Sequence, residues 1–270
     1  MTSPFNGQTV TITFGNQGEN HVGNQMIGRE IDAGYTVTEL KEIKLRCEQA
    51  GLVCELLELH REAEGIAEGI ELAEAGLLIL RHGIDLLGKS EEEDENSKDL
   101  LFTELTQLDW DKKAKMYGQV RNKHARHNLC FDHQAQEPDY ESGKGRIIAW
   151  NKVPTLNRIR NNLAKWFGPK AGVLVGEGNH YYDVNKTYIN LHSDLERKIV
   201  VALRIGESFP LYFQWYLRSQ PIGKRFTIQL NHGDIYIMSE KAVGPDGKKR
   251  TIPTLRHAAG FPKVLKLEEQ

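Results

Sequence analysis

Two His-x-Asp tripeptides stand in the C-terminal half of this 270-residue chain, His192-Ser-Asp194 and His232-Gly-Asp234, and a further histidine, His257, follows them. Two imidazoles and one carboxylate on one face of a metal hold ferrous iron in non-haem oxygenases and leave positions open for co-substrate and dioxygen. Residues two apart in a strand point the same way, so a His-x-Asp offers two ligands from one strand edge; a second His must come from another strand. The two tripeptides differ in setting. Asn231-His-Gly-Asp234 lies between two strand-like runs and has turn composition, which marks it as a reversal. His192-Ser-Asp194 precedes the apolar run 198–205, and His257 comes 63 residues after Asp194, enough for intervening strands to bring it back. His192, Asp194 and His257 are therefore the candidate catalytic and metal-ligating residues, with Fe(II) as the expected metal.

The elements that must position them follow from periodicity. A helix is expected over 154–167, with Pro154 at its start, and strands over 172–177, 180–183, 198–205, 211–216, 226–230, 234–238 and 254–258. Short strands at this spacing, separated by Gly, Pro and Asn, predict a β-sandwich or jelly roll. Upstream, Thr9-Val-Thr-Ile-Thr-Phe14 alternates as a strand does, and 36–50 places Leu40, Ile43 and Cys47 at helical spacing. Thr36 and Glu39 form a capping-box pattern and Gly51 ends that helix. Strands at 52–57 and 77–80 and a helix at 60–75 complete a small α/β unit. Its loop GNQGEN lacks the glycine pattern of a phosphate-binding turn. The run KSEEEDENSKD cannot bury apolar surface and reads as a solvated linker. The expected fold class is α+β, with 1–88 a small accessory α/β domain, 89–99 an acidic linker, and 100–270 the jelly-roll catalytic domain.

Charge divides along the same lines. Residues 1–88 carry 14 acids against 6 bases, 89–99 carry 6 against 2, and 100–270 carry 17 against 27. Either the C-terminal part meets an anionic partner or two oppositely charged units attract each other. No stretch has the ~18 consecutive apolar residues of a membrane span, and the N-terminus has no secretory pattern. Three cysteines, Cys47, Cys54 and Cys130, form no CxxC pair. These features predict a soluble, intracellular protein, cytoplasmic or nuclear, without a membrane partner.

From Asn179 to Gly260 the chain resembles the catalytic core of the AlkB-like 2-oxoglutarate/Fe(II) dioxygenases. Asn179-His-Tyr181, Leu191-His-Ser-Asp194, the strand 198–206, Tyr212-Phe-Gln-Trp215, the segment 230–238 and Arg256-His-Ala-Ala-Gly260 follow that family's order. The resemblance implies a double-stranded β-helix core, Fe(II), 2-oxoglutarate as co-substrate and O2. It assigns Asn179 and Tyr181 to hydrogen bonds with 2-oxoglutarate. The family's clamp arginines after the distal His are missing, for only Lys263 and Lys266 follow His257. Lys263, at an even offset along the strand, and Arg204 on a neighbouring strand are the candidates for that role. The chemistry implied is oxidative decarboxylation of 2-oxoglutarate coupled to hydroxylation of a C–H bond; at an N-methyl group the product loses formaldehyde.

The segment 112–131 bears on the substrate. It holds Lys112, Lys113, Lys115, Arg121, Lys123 and Arg126, with Tyr117 and His124 interleaved. Such a segment suits phosphate contacts and base stacking by DNA, RNA or a nucleotide, or it is a solvated basic loop facing the acidic N-terminal unit. Arg121, Lys123, Arg126, Tyr212 and Trp215 are the candidate substrate-binding residues, though aromatic residues in a jelly roll usually fill it. The rivals are hydroxylation of a small metabolite or protein side chain, and a catalytically silent jelly-roll binding module.

Overall fold

The computed structural model describes residues 3–21, 23–89 and 96–266. Its strands in chain order are β1 (Thr9–Gly15), β2 (Gln17–Asn20), β3 (Gln25–Gly28), β4 (Cys54–Leu57), β5 (Leu77–Leu80), β6 (Lys113–Met116), β7 (Gln119–Asn122) and β8 (His127–Asp132). There follow β9 (Ile147–Ala149), β10 (Val175–Tyr181), β11 (Ile189–His192), β12 (Val200–Gly206), β13 (Phe209–Leu217), β14 (Gln220–Leu230), β15 (Ile235–Met238) and β16 (Thr254–Ala259). The helices are α1 (Val37–Gln49), α2 (Gly83–Leu87), α3 (Ser97–Thr106), α4 (Pro154–Phe167), α5 (Glu240–Val243) and α6 (Pro262–Leu265).

Eight strands form one sheet in the order β4-β5-β15-β12-β1-β10-β8-β9, and four form a second in the order β11-β16-β13-β14. The fold is a sheet-rich α+β arrangement, and neither sheet closes into a barrel. Alternation along the strands builds two cores. Val10, Ile12 and Phe14 of β1 and Val201, Leu203 and Ile205 of β12 join Leu40 of α1 and Leu156, Ile159 and Leu163 of α4 in one apolar cluster. The alternate residues, Val200 and Ala202 of β12 with Tyr236 and Met238 of β15, meet Leu211, Phe213 and Trp215 of β13 in the other. The second cluster lies between the two sheets, and the site described below opens beside it.

The expected separation of residues 1–88 from the rest does not hold. β1 runs between β12 and β10, with Thr11 opposite both Arg204 and Asn179, and β5 pairs with β15 from Leu77 to Leu80. Alternating β-branched residues specify a strand but not its partners, and here the partners of β1 lie 160 or more residues downstream. Of the expected acidic linker, 90–95 lie outside the described residues, while Ser97 to Asp99 already form the first turn of α3.

Other expectations meet the structure unevenly. α1 carries the full capping box of Thr36 and Glu39, α4 spans 154–167, and β5 spans 77–80. The expected helix at 60–75 is absent: Gly65 (φ 70°) and Gly69 (φ 83°) adopt left-handed backbone, which a right-handed helix does not admit. The strands expected at 172–177 and 180–183 are one strand, β10.

Candidate metal centre and its cavity

β11 and β16 are neighbours in the small sheet, and their register sets His192 directly opposite His257. The ring centroids are 4.3 Å apart. β11 ends at His192 rather than continuing as a regular strand through the tripeptide, so Asp194 lies in the loop beyond it. There its backbone N–H donates to Val243 O at 3.1 Å, and Ser193 Oγ donates to Leu255 O at 2.9 Å. The loop returns the carboxylate to both rings: Asp194 Oδ1 is 3.3 Å from His192 Nε2 and 3.7 Å from His257 Nε2. The ligand atoms of the three residues all lie within 4.8 Å of one another.

Hydrogen bonding fixes what these atoms present. His192 Nδ1 is 2.7 Å from Asn190 O. A carbonyl only accepts, so Nδ1 carries the proton and a neutral ring offers its Nε2 lone pair to Asp194. Lone pairs of a carboxylate and an imidazole then converge with no hydrogen between them, an arrangement that needs a cation. Without a metal a proton takes that place: burial pushes the His192 pKa down, but the hydrogen bond and charge of Asp194 raise it above the usual imidazole value. His257 is held neutral, with its pKa lowered to about 3, first by burial and then by His192. Burial pushes the Asp194 carboxyl up, yet Arg197, then His257 and His192, outweigh it and keep it well below the usual range. A neutral His, a carboxylate and a second His suit a divalent metal of the Fe(II), Mn(II) or Zn(II) type.

Arg197 braces the carboxylate from behind. It is 4% exposed, its Nε is 3.6 Å from Asp194 Oδ2, and it also bonds Glu177 and Glu196. Sequence reading missed it, although the Asp194-to-Arg197 spacing in Ser-Asp-Leu-Glu-Arg was visible.

A small cavity of about 60 Å³ leads from the three ligands in between the sheets. Arg204, Thr11 and Asn179 line it, in register on β12, β1 and β10, and Asn128 of β8 continues the row beyond the cavity. The Asn179 side-chain oxygen is already taken by Arg126 Nε at 2.6 Å and Asn128 Nδ2 at 2.7 Å, so its amide N–H groups are what it has left to offer. Tyr181 is buried, and the Arg204 guanidinium stands 5.7 Å from its ring centroid and 5.2 Å from that of Phe209. Thr11 belongs to the polar face of the alternating strand 9–14, a signal the sequence held but whose partner strands it did not name.

The second His-x-Asp is the expected turn, and it supports the strand that carries Arg204. Gly233 has φ 92°. His232 Nδ1 accepts from Gly206 N at 2.9 Å, while Arg204 N donates to Asp234 O at 2.9 Å and Gly233 N to Arg204 O at 2.8 Å. The Asp234 carboxylate accepts from Arg81 at 2.6 Å and from Asn231 N at 2.9 Å.

The remaining candidates divide. Lys263 does not extend a strand from His257: β16 stops at Ala259, Gly260 turns the chain (φ 148°), and Pro262 starts α6, which leaves Lys263 exposed and off the cavity. Arg126 lines an open cavity of about 600 Å³ that reaches His192 and Asp194. Lys123 and Arg126 together line an adjoining one of about 320 Å³ beneath the β6–β7 hairpin. Arg121 is exposed on β7, 6.0 Å from the Tyr117 ring centroid. Trp215 belongs to the core between the sheets and donates to Leu59 O at 3.0 Å. Tyr212, one face over on β13, packs on Ala258 and Leu265. Neither of these two rings lines a cavity at the ligands, because β13 sends them into apolar packing on its two faces.

The chain is 44% identical over 259 residues, 96% of its own length and 98% of the other's, to "Uncharacterized protein R156" of Acanthamoeba polyphaga mimivirus. It belongs to that protein's family. No protein-family model matches the chain. The matched length covers both sheets of this chain and the positions of its three ligand candidates. Among the described residues no helix of the chain is long and apolar enough to cross a membrane.

Proposed function

We propose that the protein is a 2-oxoglutarate- and Fe(II)-dependent dioxygenase of AlkB-like type that oxidises a nucleic-acid base or nucleotide, by demethylation or hydroxylation. The observation that carries this reading is the convergence of His192, Asp194 and His257 on a shared point beside a small cavity also lined by Asn179, Tyr181 and Arg204. The facing eight- and four-stranded sheets are read as the double-stranded β-helix such a core needs. In this reading His192, Asp194 and His257 hold the iron, and Asn179, Tyr181 and Arg204 line the cavity for the co-substrate. When bound, the pair would activate O2: one oxygen atom goes into succinate as 2-oxoglutarate loses CO2, and the other goes into the substrate C–H bond, so that O2 is the oxidant for both. The chain's own residues position: Arg197 holds the Asp194 carboxylate and Asn190 O sets the His192 tautomer. The 600 Å³ cavity before His192 and the basic side chains of Lys123 and Arg126 support an anionic, nucleotide-sized substrate. Unpaired Cys47, Cys54 and Cys130 suit a reducing, intracellular setting.

The test is anaerobic loading with Fe(II), titration with 2-oxoglutarate, and then oxygen with methylated DNA, RNA and nucleotides, peptides and metabolites in turn. Binding of 2-oxoglutarate that disappears in His192→Ala, together with succinate release and loss of a methyl group or gain of oxygen on a nucleic acid or nucleotide, is the expected result. Turnover of a peptide or metabolite instead moves the substrate class. Absence of any His192-dependent binding removes the oxygenase reading.

A further inference from the structure

Cys47 and Cys54 flank the turn that joins α1 to β4. The chain turns back at Cys47: Leu52 N donates to Cys47 O at 3.1 Å, and Gly51 takes the left-handed backbone (φ 89°) that this reversal needs. Leu52 and Cys54, two apart on the extended segment that follows, face the same way, and both pack against the apolar cluster that contains Cys47. Val53 between them points outward and is 67% exposed. The two thiols meet, and the Cys47 S–H donates to the Cys54 sulfur. Their surroundings differ. Cys47 is fully buried, whereas Cys54 starts the edge strand of the large sheet and is half-buried, its Sγ 3.8 Å from Leu52 O. The hydrogen bond from Cys47 lowers the Cys54 pKa, and that bond, followed by burial, raises the pKa of Cys47. Cys130 is the contrast: it is buried on β8 among Ile27, Ile147 and Val175, and burial pushes its thiol well above the usual range.

We propose that Cys47 and Cys54 form a redox-active pair, in which a hydroperoxide oxidises Cys54 and Cys47 resolves the product into a disulfide. The Cys54 thiolate attacks one peroxide oxygen and the O–O bond breaks. The departing oxygen takes a proton, so sulfur is oxidised to a sulfenic acid as the peroxide is reduced to an alcohol or water. The Cys47 sulfur then attacks the Cys54 sulfur. An S–S bond forms, and the sulfenic oxygen leaves as water with the proton of Cys47. The sum is two thiols and one hydroperoxide giving one disulfide, one water and one alcohol or second water; a dithiol reductant reverses the sulfur chemistry. Position sets the order, because the half-buried sulfur meets the oxidant and the buried one waits behind it. The bond ties the C-terminal turn of α1 to the edge strand β4. Neither thiol lines the cavity of His192, Asp194 and His257, so this site stands apart from the activity proposed above.

The experiment treats the full-length, metal-free protein with hydrogen peroxide, unfolds it, alkylates with iodoacetamide and maps the peptides by mass. Trypsin leaves both cysteines in the peptide 47–61, and cleavage after Glu48 separates them, so a linked pair falls into two fragments only on reduction. In wild type the peptide 47–61 should resist alkylation after peroxide and regain both thiols with dithiothreitol, while Cys130 is alkylated as before. Before oxidation, native Cys54 should react with iodoacetamide about 10-fold or more faster than Cys130. Cys47→Ala should stop the reaction at a Cys54 sulfenic acid, which dimedone captures. Cys54→Ser should leave Cys47 unoxidised at the same peroxide dose; it removes a half-buried group, and it carries the order of the two steps if Cys47→Ala does not fold. Peroxide-treated wild type with both thiols of 47–61 still open to alkylation overturns the pair. So does a disulfide that takes in Cys130 or joins two chains. Oxidation of Cys47 in Cys54→Ser, at the rate seen in wild type, overturns the assignment of Cys54 as the sulfur attacked.

Discussion

At the scale of single residues, the site depends on lone pairs aimed at one point and on neighbours that fix protons. Replacing His257 or Asp194 by alanine removes one of three ligands. Metal affinity, measured by titration with Mn(II) as a redox-silent probe, should fall by more than the ~10- to 100-fold typical of losing an outer hydrogen-bond partner. Arg197→Met should give a loss within that smaller range, because it frees the Asp194 carboxylate without deleting it. The candidate ligands were legible because His-x-Asp plus a distant His is a local pattern, and turn composition separated the two tripeptides. Arg204 could be named as a candidate but not chosen over Lys263, since burial and the end of β16 are consequences of packing. A pH effect belongs at this scale too. Lys123 has its pKa lowered to about 8, first by burial and then by Arg126. The folded state therefore releases this proton before the unfolded chain does, and between about pH 8 and the ordinary lysine value near 10.5 the unfolded state binds more protons. Stability from this group rises with pH across that window. Lys123→Met should accordingly be more stable than wild type below pH 8, with the difference shrinking toward pH 10.5 in urea titrations at several pH values.

At the scale of elements, helix ends and turns decide how firmly the site is held. The capping box of α1 is complete: Glu39 N donates to Thr36 Oγ1 at 3.1 Å and Thr36 N to Glu39 Oε2 at 2.8 Å. Thr36→Ala should cost about 1 kcal/mol, read from the denaturation midpoint, with no change in metal affinity because α1 lies on the far side of the large sheet from the ligands. The turn after α5 behaves differently. A Cβ at Gly247 would come within 2.5 Å of Ser193 Cβ, between His192 and Asp194. Gly247→Ala should therefore weaken metal binding several-fold while changing the unfolding midpoint little. An unchanged metal titration would show that the 193–194 loop yields without moving the carboxylate. The capping box was legible because it is a four-residue pattern. The contact of Gly247 with Ser193 was not, since more than fifty residues separate the two.

At the scale of the molecule, the question is whether the chain divides at its acidic run. Charge and composition change there, and sequence alone places a boundary; the sheet ignores it. β1 is an interior strand, bonded on one side to β12 and on the other to β10, and its Val10, Ile12 and Phe14 fill the core under α1 and α4. Removing residues 1–88 would break the large sheet into two pieces. It would expose the facing edges of β12 and β10 and strip β15 of its outer partner, β5. It would also take Thr11 and Thr13 from the cavity. A domain that folded alone would need its own core and few contacts across the boundary, and neither condition holds here. The fragment 100–270, made alone, should be insoluble or lack a cooperative thermal transition. Adding 1–88 as a separate chain should recover soluble, metal-binding protein to the extent that β1 re-enters between its two neighbours. A fragment 100–270 that melts cooperatively and binds Mn(II) with wild-type affinity would restore the boundary suggested by charge, and would require β12 and β10 to pair in some other way.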